Sequence, residues 1–263
     1  MDAVWEVVLL GLAVGLVAGA VGGTLAGLAG VGGGLIYVPV FYAAMPASND
    51  TMAAHVFGSM VAIVITGFFS ARAHWRLGHV DTTAMRRLLP GLLVGAGIGL
   101  WQSLQLPQVW VLLGLGLLDG WIAWDYGRYR HPKPGVVPLS VMAGPVGYLS
   151  GSLGIGGGTM LVPLLRRHLS LREAVGTSAA AGMIMATGAV TANLLLERNW
   201  MDVLADSLPF LAGAWLGILL ILPKTSRWAA RLHATISEAV MRQLLKLLFM
   251  VLSGSLLLAA WLA

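Results

Sequence analysis

The sequence contains no cysteine, so it forms no disulfide and offers no thiolate to a metal or a redox couple. Charge is almost as scarce. Asp, Glu, Lys and Arg make up 10% of the 263 residues, whereas soluble domains carry about 25%. With 58% hydrophobic residues, the chain reads as a membrane protein with no room for a sizeable soluble domain. The start, Met1-Asp2-Ala3-Val4-Trp5-Glu6, is acidic and has no basic n-region, so a cleaved signal peptide is not expected. No two of the six histidines stand as HxxxH or HExxH, which argues against a metal site. No serine has a GxSxG or GxSG surround, so hydrolysis has no candidate nucleophile. The net charge of +5 does not imply nucleic acid, because the basic residues are scattered over several loops.

What the chain does have is glycine, in a pattern that occurs twice. Gly27-Leu-Ala-Gly30-Val-Gly32-Gly33-Gly34-Leu-Ile-Tyr-Val38-Pro39 returns as Gly151-Ser-Leu-Gly154-Ile-Gly156-Gly157-Gly158-Thr-Met-Leu-Val162-Pro163, with seven identities at one offset of 124 residues. Three consecutive glycines destabilise a helix and admit unusual backbone angles. Each unit therefore predicts a helix break between two apolar arms. It is not a P-loop, because Gly33-Gly34 stand where Lys and Ser or Thr are required.

Apolar segments lie at about 4–26, 35–46, 52–70, 88–104, 109–124, 136–150, 159–165, 173–196, 204–222 and 243–262. All of the 16 Lys and Arg except Arg198 fall into four groups, within about 72–87, 128–133, 166–172 and 224–246. If neither glycine unit makes a net crossing, all four groups reach one side, which the positive-inside rule makes the cytoplasm. The loop after the first unit then lies outside and its repeat partner inside, so the halves are expected to be inverted copies. Pro90, Gly95 and Gly99 are echoed by Pro209, Gly213 and Gly217. The expected division is a first repeat over 1–125, a cytoplasmic linker over 126–138 and a second repeat over 139–263. Within the last, residues 226–242 are too polar to span and read as a helix lying on the membrane surface. Trp5, Trp75, Trp101, Trp110, Trp124, Trp200 and Trp261 fall near segment ends, where an aromatic interface belt is expected.

The breaks carry the main chemical expectation. The first amides of a helix have no intrahelical partner, and together with the helix dipole they favour an anion. Broken helices in inverted repeats commonly place such ends at a midplane site. Helix packing alone is the plainer account of small residues at this spacing. Thr159, Ser59 and the pair Thr177-Ser178 add hydroxyls beside the breaks or at matched repeat positions, although such groups often bond their own helix. Asp119 lies inside an apolar segment, where a carboxylate is expensive and marks a candidate proton-coupling residue. His55 begins a span and reads as a polar terminus.

These residues resemble the TauE/SafE family of sulfite and organosulfonate exporters, over nearly the whole chain. The matching positions are Gly30, Gly32, Gly33, Gly34 and Pro39, then Gly154, Gly156, Gly157, Gly158 and Pro163, with Thr177 and Ser178. The first half departs at Phe57-Gly58-Ser59, where the second has Gly176-Thr177-Ser178. The resemblance implies an all-α, multi-pass transporter of a small anion in the cell inner membrane. No enzyme activity, cofactor or nucleic-acid partner is expected, and a homo-oligomer is left open. A membrane scaffold or assembly subunit that transports nothing is the alternative. The threading makes a direct prediction: single cysteines introduced at either terminus label from the outside, and those in 71–87, 125–138, 166–172 and 223–242 from the cytoplasm. Cytoplasmic labelling of a terminus rejects the orientation.

Overall fold

The computed structural model describes residues 2–29, 33–46, 52–126, 139–235 and 238–263. Within them there are eleven helices and no strand. In chain order they are α1 (Asp2–Ala29), α2 (Gly34–Ala44), α3 (Met52–Arg76), α4 (Thr82–Ser103), α5 (Gln108–Tyr126), α6 (Leu139–Leu153), α7 (Gly158–Leu165), α8 (Leu171–Leu196), α9 (Asn199–Ala205), α10 (Leu208–Thr235) and α11 (Glu238–Leu262). Four are long and apolar enough to cross a bilayer over Val4–Ala26, Met52–Arg76, Arg172–Leu196 and Leu208–Thr225. Each glycine unit interrupts a helical path: α1 gives way to α2, and α6 to α7.

The ends follow local chemistry more than hydropathy. Helix α4 starts at Thr82, before its apolar run, because the Asp81 carboxylate accepts the amides of Thr83 and Ala84. Ser170 and Glu173 form a capping box that opens α8. Pro209 sits in the first turn of α10, where its missing N–H costs nothing. The expected segment 204–222 is therefore split between α9 and the longer α10. Residues 226–242 are divided between the end of α10 and the start of α11, and 236–237 lie outside the described residues. Nearly all of the expected linker, 127–138, also lies outside them.

Packing follows the duplication. Helix α1 lies along α10 as α6 lies along α4; α2 packs on α3 as α7 does on α8; α10 contacts α3 as α4 contacts α8. The pairs α3–α8 and α5–α11 join the halves. Exchanging α1, α2, α3, α4 and α5 with α6, α7, α8, α10 and α11 leaves this scheme unchanged, and α9 has no counterpart.

The α1–α10 and α4–α6 pairs are held at backbone contact. A Cβ at Gly11 would lie 2.1 Å from the Phe210 carbonyl oxygen, and one at Gly213 2.1 Å from that of Val8. In the other pair, a Cβ at Gly95 would lie 2.2 Å from the Gly144 oxygen and one at Gly151 2.3 Å from that of Ala96. Small residues permit this approach, and dispersion with Cα–H···O contacts rewards it where lipid removes the hydrophobic drive between helices.

One expected belt residue belongs to the interior. Trp200 is fully buried, its ring tilted against that of Phe57 at 4.9 Å, and its indole N–H donates to Asn193 Oδ1 at 3.1 Å. The short α9 turns it inward. The other six belt tryptophans are exposed, as expected of residues facing lipid or its interface. The glycine contacts predict a contrast between neighbours on α4. Gly95→Ala should lose on the order of 1–3 kcal/mol through overpacking. Gly97→Ala, which meets nothing within 4 Å, should leave thermal stability in detergent unchanged or higher. Equal melting temperatures would show that the α4–α6 contact is not tight.

Candidate functional site

At the second break, Leu153 ends α6 and the chain turns through Gly154 and Gly156, at φ 66° and 67°. These left-handed angles are costly for any residue with a Cβ, roughly 1–2 kcal/mol each. Gly157 differs, with φ −69° and ψ −22°, an ordinary helical geometry. Its glycine is thus not required by backbone angle. The carbonyls freed by the turn are covered by hydroxyls. Ser150 donates to the Gly156 oxygen at 3.3 Å, and Ser59, reaching from α3 in the other half, donates to that of Gly154. The Ile155 amide returns to the Ser150 carbonyl at 3.1 Å.

The first break is described from Gly33 onward; Gly30 and Gly32 lie outside the described residues. Gly33 precedes α2 at φ 65°. A Cβ on Gly34 would lie 2.1 Å from the Ile155 carbonyl oxygen, and one on Gly154 2.9 Å from the Val38 side chain. The two breaks therefore touch, each closing on the other.

Beside them is a small cavity lined by Ile63 and Thr66 of α3, Gly156 to Gly158, and Ser178 and Gly182 of α8. It has about 20 Å³ of room for the centre of a water molecule, enough for one water-sized group. Ser178 is fully buried and its hydroxyl has no hydrogen-bond partner. Across the gap, α7 begins with amides that cannot bond within their helix. A Cβ at Gly182 would stand 3.4 Å from the Gly157 nitrogen and 3.9 Å from that of Gly158, so α8 approaches the start of α7 with no side chain between them. No Lys, Arg or His lines the cavity. The arrangement offers the Ser178 hydroxyl and the start of α7 to an oxygen acceptor, in a wall that also holds Thr66 and Ser70.

The other expected residues are placed as follows. Gly34, Gly154, Gly156, Gly157, Gly158, Ser59 and Ser178 gather around the breaks. Ser59 is committed to the Gly154 carbonyl. Thr177 is buried, but its Oγ1 accepts the Asp81 amide at 2.8 Å and so ties α8 to the turn before α4. Thr159 opens α7 at its second position; its side chain lies outside the described residues. Asp119 is fully buried on α5, and neither carboxylate oxygen has a hydrogen-bond partner. It does not line the cavity. Helix α5 reaches the break at Gly114, where a Cβ would lie 2.9 Å from the Leu153 side chain. Asp119 is five residues further along, about 7–8 Å at helical rise. His55, expected at a polar helix end, is instead buried, with its ring 5.7 Å from that of Tyr42.

Two residues at the site were not expected from sequence. Tyr37 is fully buried over Gly33, and its hydroxyl lies 2.7 Å from Thr66 Oγ1; Thr66 donates to the Ala62 carbonyl, so Tyr37 is the donor. Its one signal was a hydroxyl in an apolar helix, at a position the repeat fills with Leu161. Gly182 was hidden among the alanines of α8, though it stands one helical turn from Ser178. Among the described residues, no group of three or more His, Asp or Glu is placed to hold a metal.

Comparison with known proteins fixes the family. The model of the family described as Sulfite exporter TauE/SafE matches residues 9–256. The chain belongs to the TauE/SafE family. A Haemophilus influenzae protein named "Probable membrane transporter protein" is 32% identical over 182 residues, 65% of this chain and 69% of its own length. "Probable inner membrane transporter protein TsaS" of Comamonas testosteroni is 34% identical over 116 residues, 43% of this chain and 47% of its own. "Probable membrane transporter protein YunE" of Bacillus subtilis is 26% identical over 234 residues, 77% of this chain and 84% of its own. No solved structure matches. The chain is thus a multi-pass membrane transporter of this family and not an enzyme.

Backbone geometry at the site predicts an order of sensitivity. Gly156→Ala must hold an L-residue near φ 67° and should lose roughly 1–2 kcal/mol of stability. Gly157→Ala keeps an ordinary conformation and meets chiefly the mobile end of Leu161, so it should cost less. Thermal unfolding of the two purified variants gives the ranking, and the reverse order would contradict the turn described here.

Proposed function

We propose that this TauE/SafE transporter carries a small oxyanion, sulfite or an organosulfonate, outward across the inner membrane through a seat at the paired glycine breaks. The observation that carries this reading is the buried Ser178 hydroxyl without a partner, in a cavity that the start of α7 also lines. A helix end contributes roughly 0.3–1 kcal/mol to an exposed anion and up to about 2 when partly buried. That suits modest affinity, which a transporter needs in order to release its cargo. The family's description and the name of the Comamonas relative, an inner membrane transporter, agree with the reading. As described, the seat holds one water-sized group, so an oxyanion enters only when α7 and α8 separate. Opening toward one side and then the other is alternating access. The exchangeable packing of the halves supports their descent from one repeat, over 1–125 and 139–263. Their inversion, a cytoplasmic linker over 126–138 and a surface helix near 226–242 are parts of the same proposal.

Coupling is assigned to Asp119. It is the one fully buried carboxylate among the described residues, and intramembrane acids mark proton and ion pathways. A proton moving inward on Asp119 as an anion moves outward would draw on the proton gradient.

Flux of sulfite and of small sulfonates into sealed proteoliposomes separates transport from scaffolding. Ser178→Ala should weaken substrate binding about tenfold, the scale of a lost hydrogen bond to a charged partner, with stability retained. Unchanged binding would remove the hydroxyl from the site. Asp119→Asn should bind substrate and sustain counterflow exchange, yet lose transport driven by a pH gradient. Full pH-driven transport by this variant would end the coupling assignment.

A further inference from the structure

On the opposite face of the α4–α6 pair is an apolar groove of about 670 Å³, bounded by Pro90, Val94 and Ile98 of α4 and by Gly144, Pro145 and Tyr148 of α6. Val94 and Ile98 stand 65% and 51% exposed along it. At one end Tyr148 donates its hydroxyl to Gln102, one turn beyond Ile98. At the other end, the α4 stripe that lines the groove continues into Arg86 and Arg87, both exposed. Arg86 is one turn from Pro90 and Arg87 one turn from Gly91, so the guanidinium groups and the apolar lining share one helix face. From Arg86 to Ile98 the helix rises about 18 Å, a little more than half of a bilayer's hydrocarbon core of roughly 30 Å.

We propose that this groove is a binding site for an anionic phospholipid, with the headgroup phosphate on Arg86 and Arg87 and one acyl chain lying between α4 and α6. Guanidinium groups suit phosphate oxygens in charge and in hydrogen-bond geometry. The two guanidinium groups at one end of an apolar lining complement a lipid with an anionic headgroup and an acyl chain, a charge match that an apolar helix from a second copy does not make. The repeat supplies an internal comparison. Pro209 on α10 matches Pro90, and Ala205 and Asp206 stand where Arg86 and Arg87 do. The matching positions thus carry the wrong charge for such a headgroup, and the site is single. The groove lies on lipid-facing residues and shares no lining residue with the cavity at the breaks. Occupancy would fill the space between two helices already in backbone contact and brace that pair.

The test is native mass spectrometry of the purified protein with equimolar phosphatidylglycerol and phosphatidylcholine of identical acyl chains. The parent should retain phosphatidylglycerol in preference. The double variant Arg86→Gln/Arg87→Gln should lose about twenty-five-fold of that preference, since each basic residue near an anionic headgroup contributes on the order of a fivefold factor. Val94→Trp, which fills the groove, should lower retention of both lipids. Circular dichroism and monodispersity establish that each variant is folded. Equal retention of the two lipids by the parent, or an unchanged preference in the double variant, overturns the proposal. So does a parent dimer that Val94→Trp converts to monomer, because the groove is then a contact between copies.

Discussion

A helix that stops inside a bilayer leaves amides and carbonyls with no water to satisfy them, each at a cost of several kcal/mol in hydrocarbon. The arrangement around both glycine units answers this constraint. The freed carbonyls of Gly154 and Gly156 are met by Ser59 and Ser150, and the Ile155 amide by the Ser150 carbonyl. Gly34 presses on Ile155, so each break covers the other. Among the described residues at the breaks, what stays unmatched is the Ser178 hydroxyl, in a cavity that the start of α7 also lines. In a structure that satisfies its other freed groups so closely, that cavity is the natural seat for a guest that brings its own oxygens.

Duplication supplies the frame, and divergence supplies the direction. The helix exchange that maps the halves onto each other preserves the main helix pairs. The side chains at the breaks do not follow it. Ser59 is spent on a carbonyl while Ser178, its repeat partner, has no partner at all. Tyr37 lies over Gly33, where the second half places Leu161 beside Gly157. Among the described residues, the buried hydroxyl without a partner thus lies on the second-half side.

Much of the frame could be read from residues because its causes are local. Glycine runs break helices wherever they occur, and the segment pattern located the spans to within a few residues. The α4 start shifted because an Asp81 cap outweighed hydropathy, and the α9 turn was missed because seven residues carry too weak a periodic signal. Asp119 was legible as a buried acid because it sits in the middle of an apolar run. The site was less legible, because its parts meet across the fold. Nothing near Gly182 in sequence says that its missing side chain faces the Gly157 amide. Nothing near Tyr37 names Thr66 as its acceptor. Thr177 and Ser178 are adjacent in the chain, yet one hydroxyl holds the turn before α4 and the other faces the cavity, a division that only helix rotation decides.

The glycine contacts of α1 with α10 and of α4 with α6 have a mechanical meaning as well. Backbones locked at van der Waals distance cannot slide by fractions of a residue, since any shift drives a Cα into a carbonyl of its neighbour. Each pair is therefore a stiff strut, and the molecule has two of them, one led by each half. Movement is left to the joints between the struts: the α3–α8 crossing, the α5–α11 crossing and the short arms α2 and α7 that lean on them. Of these joints, α3–α8 runs beside the cavity, and α5 carries Asp119. A tilt of one strut against the other would change the spacing at the anion seat and the surroundings of the acid in a single motion, with no flexible loop between them.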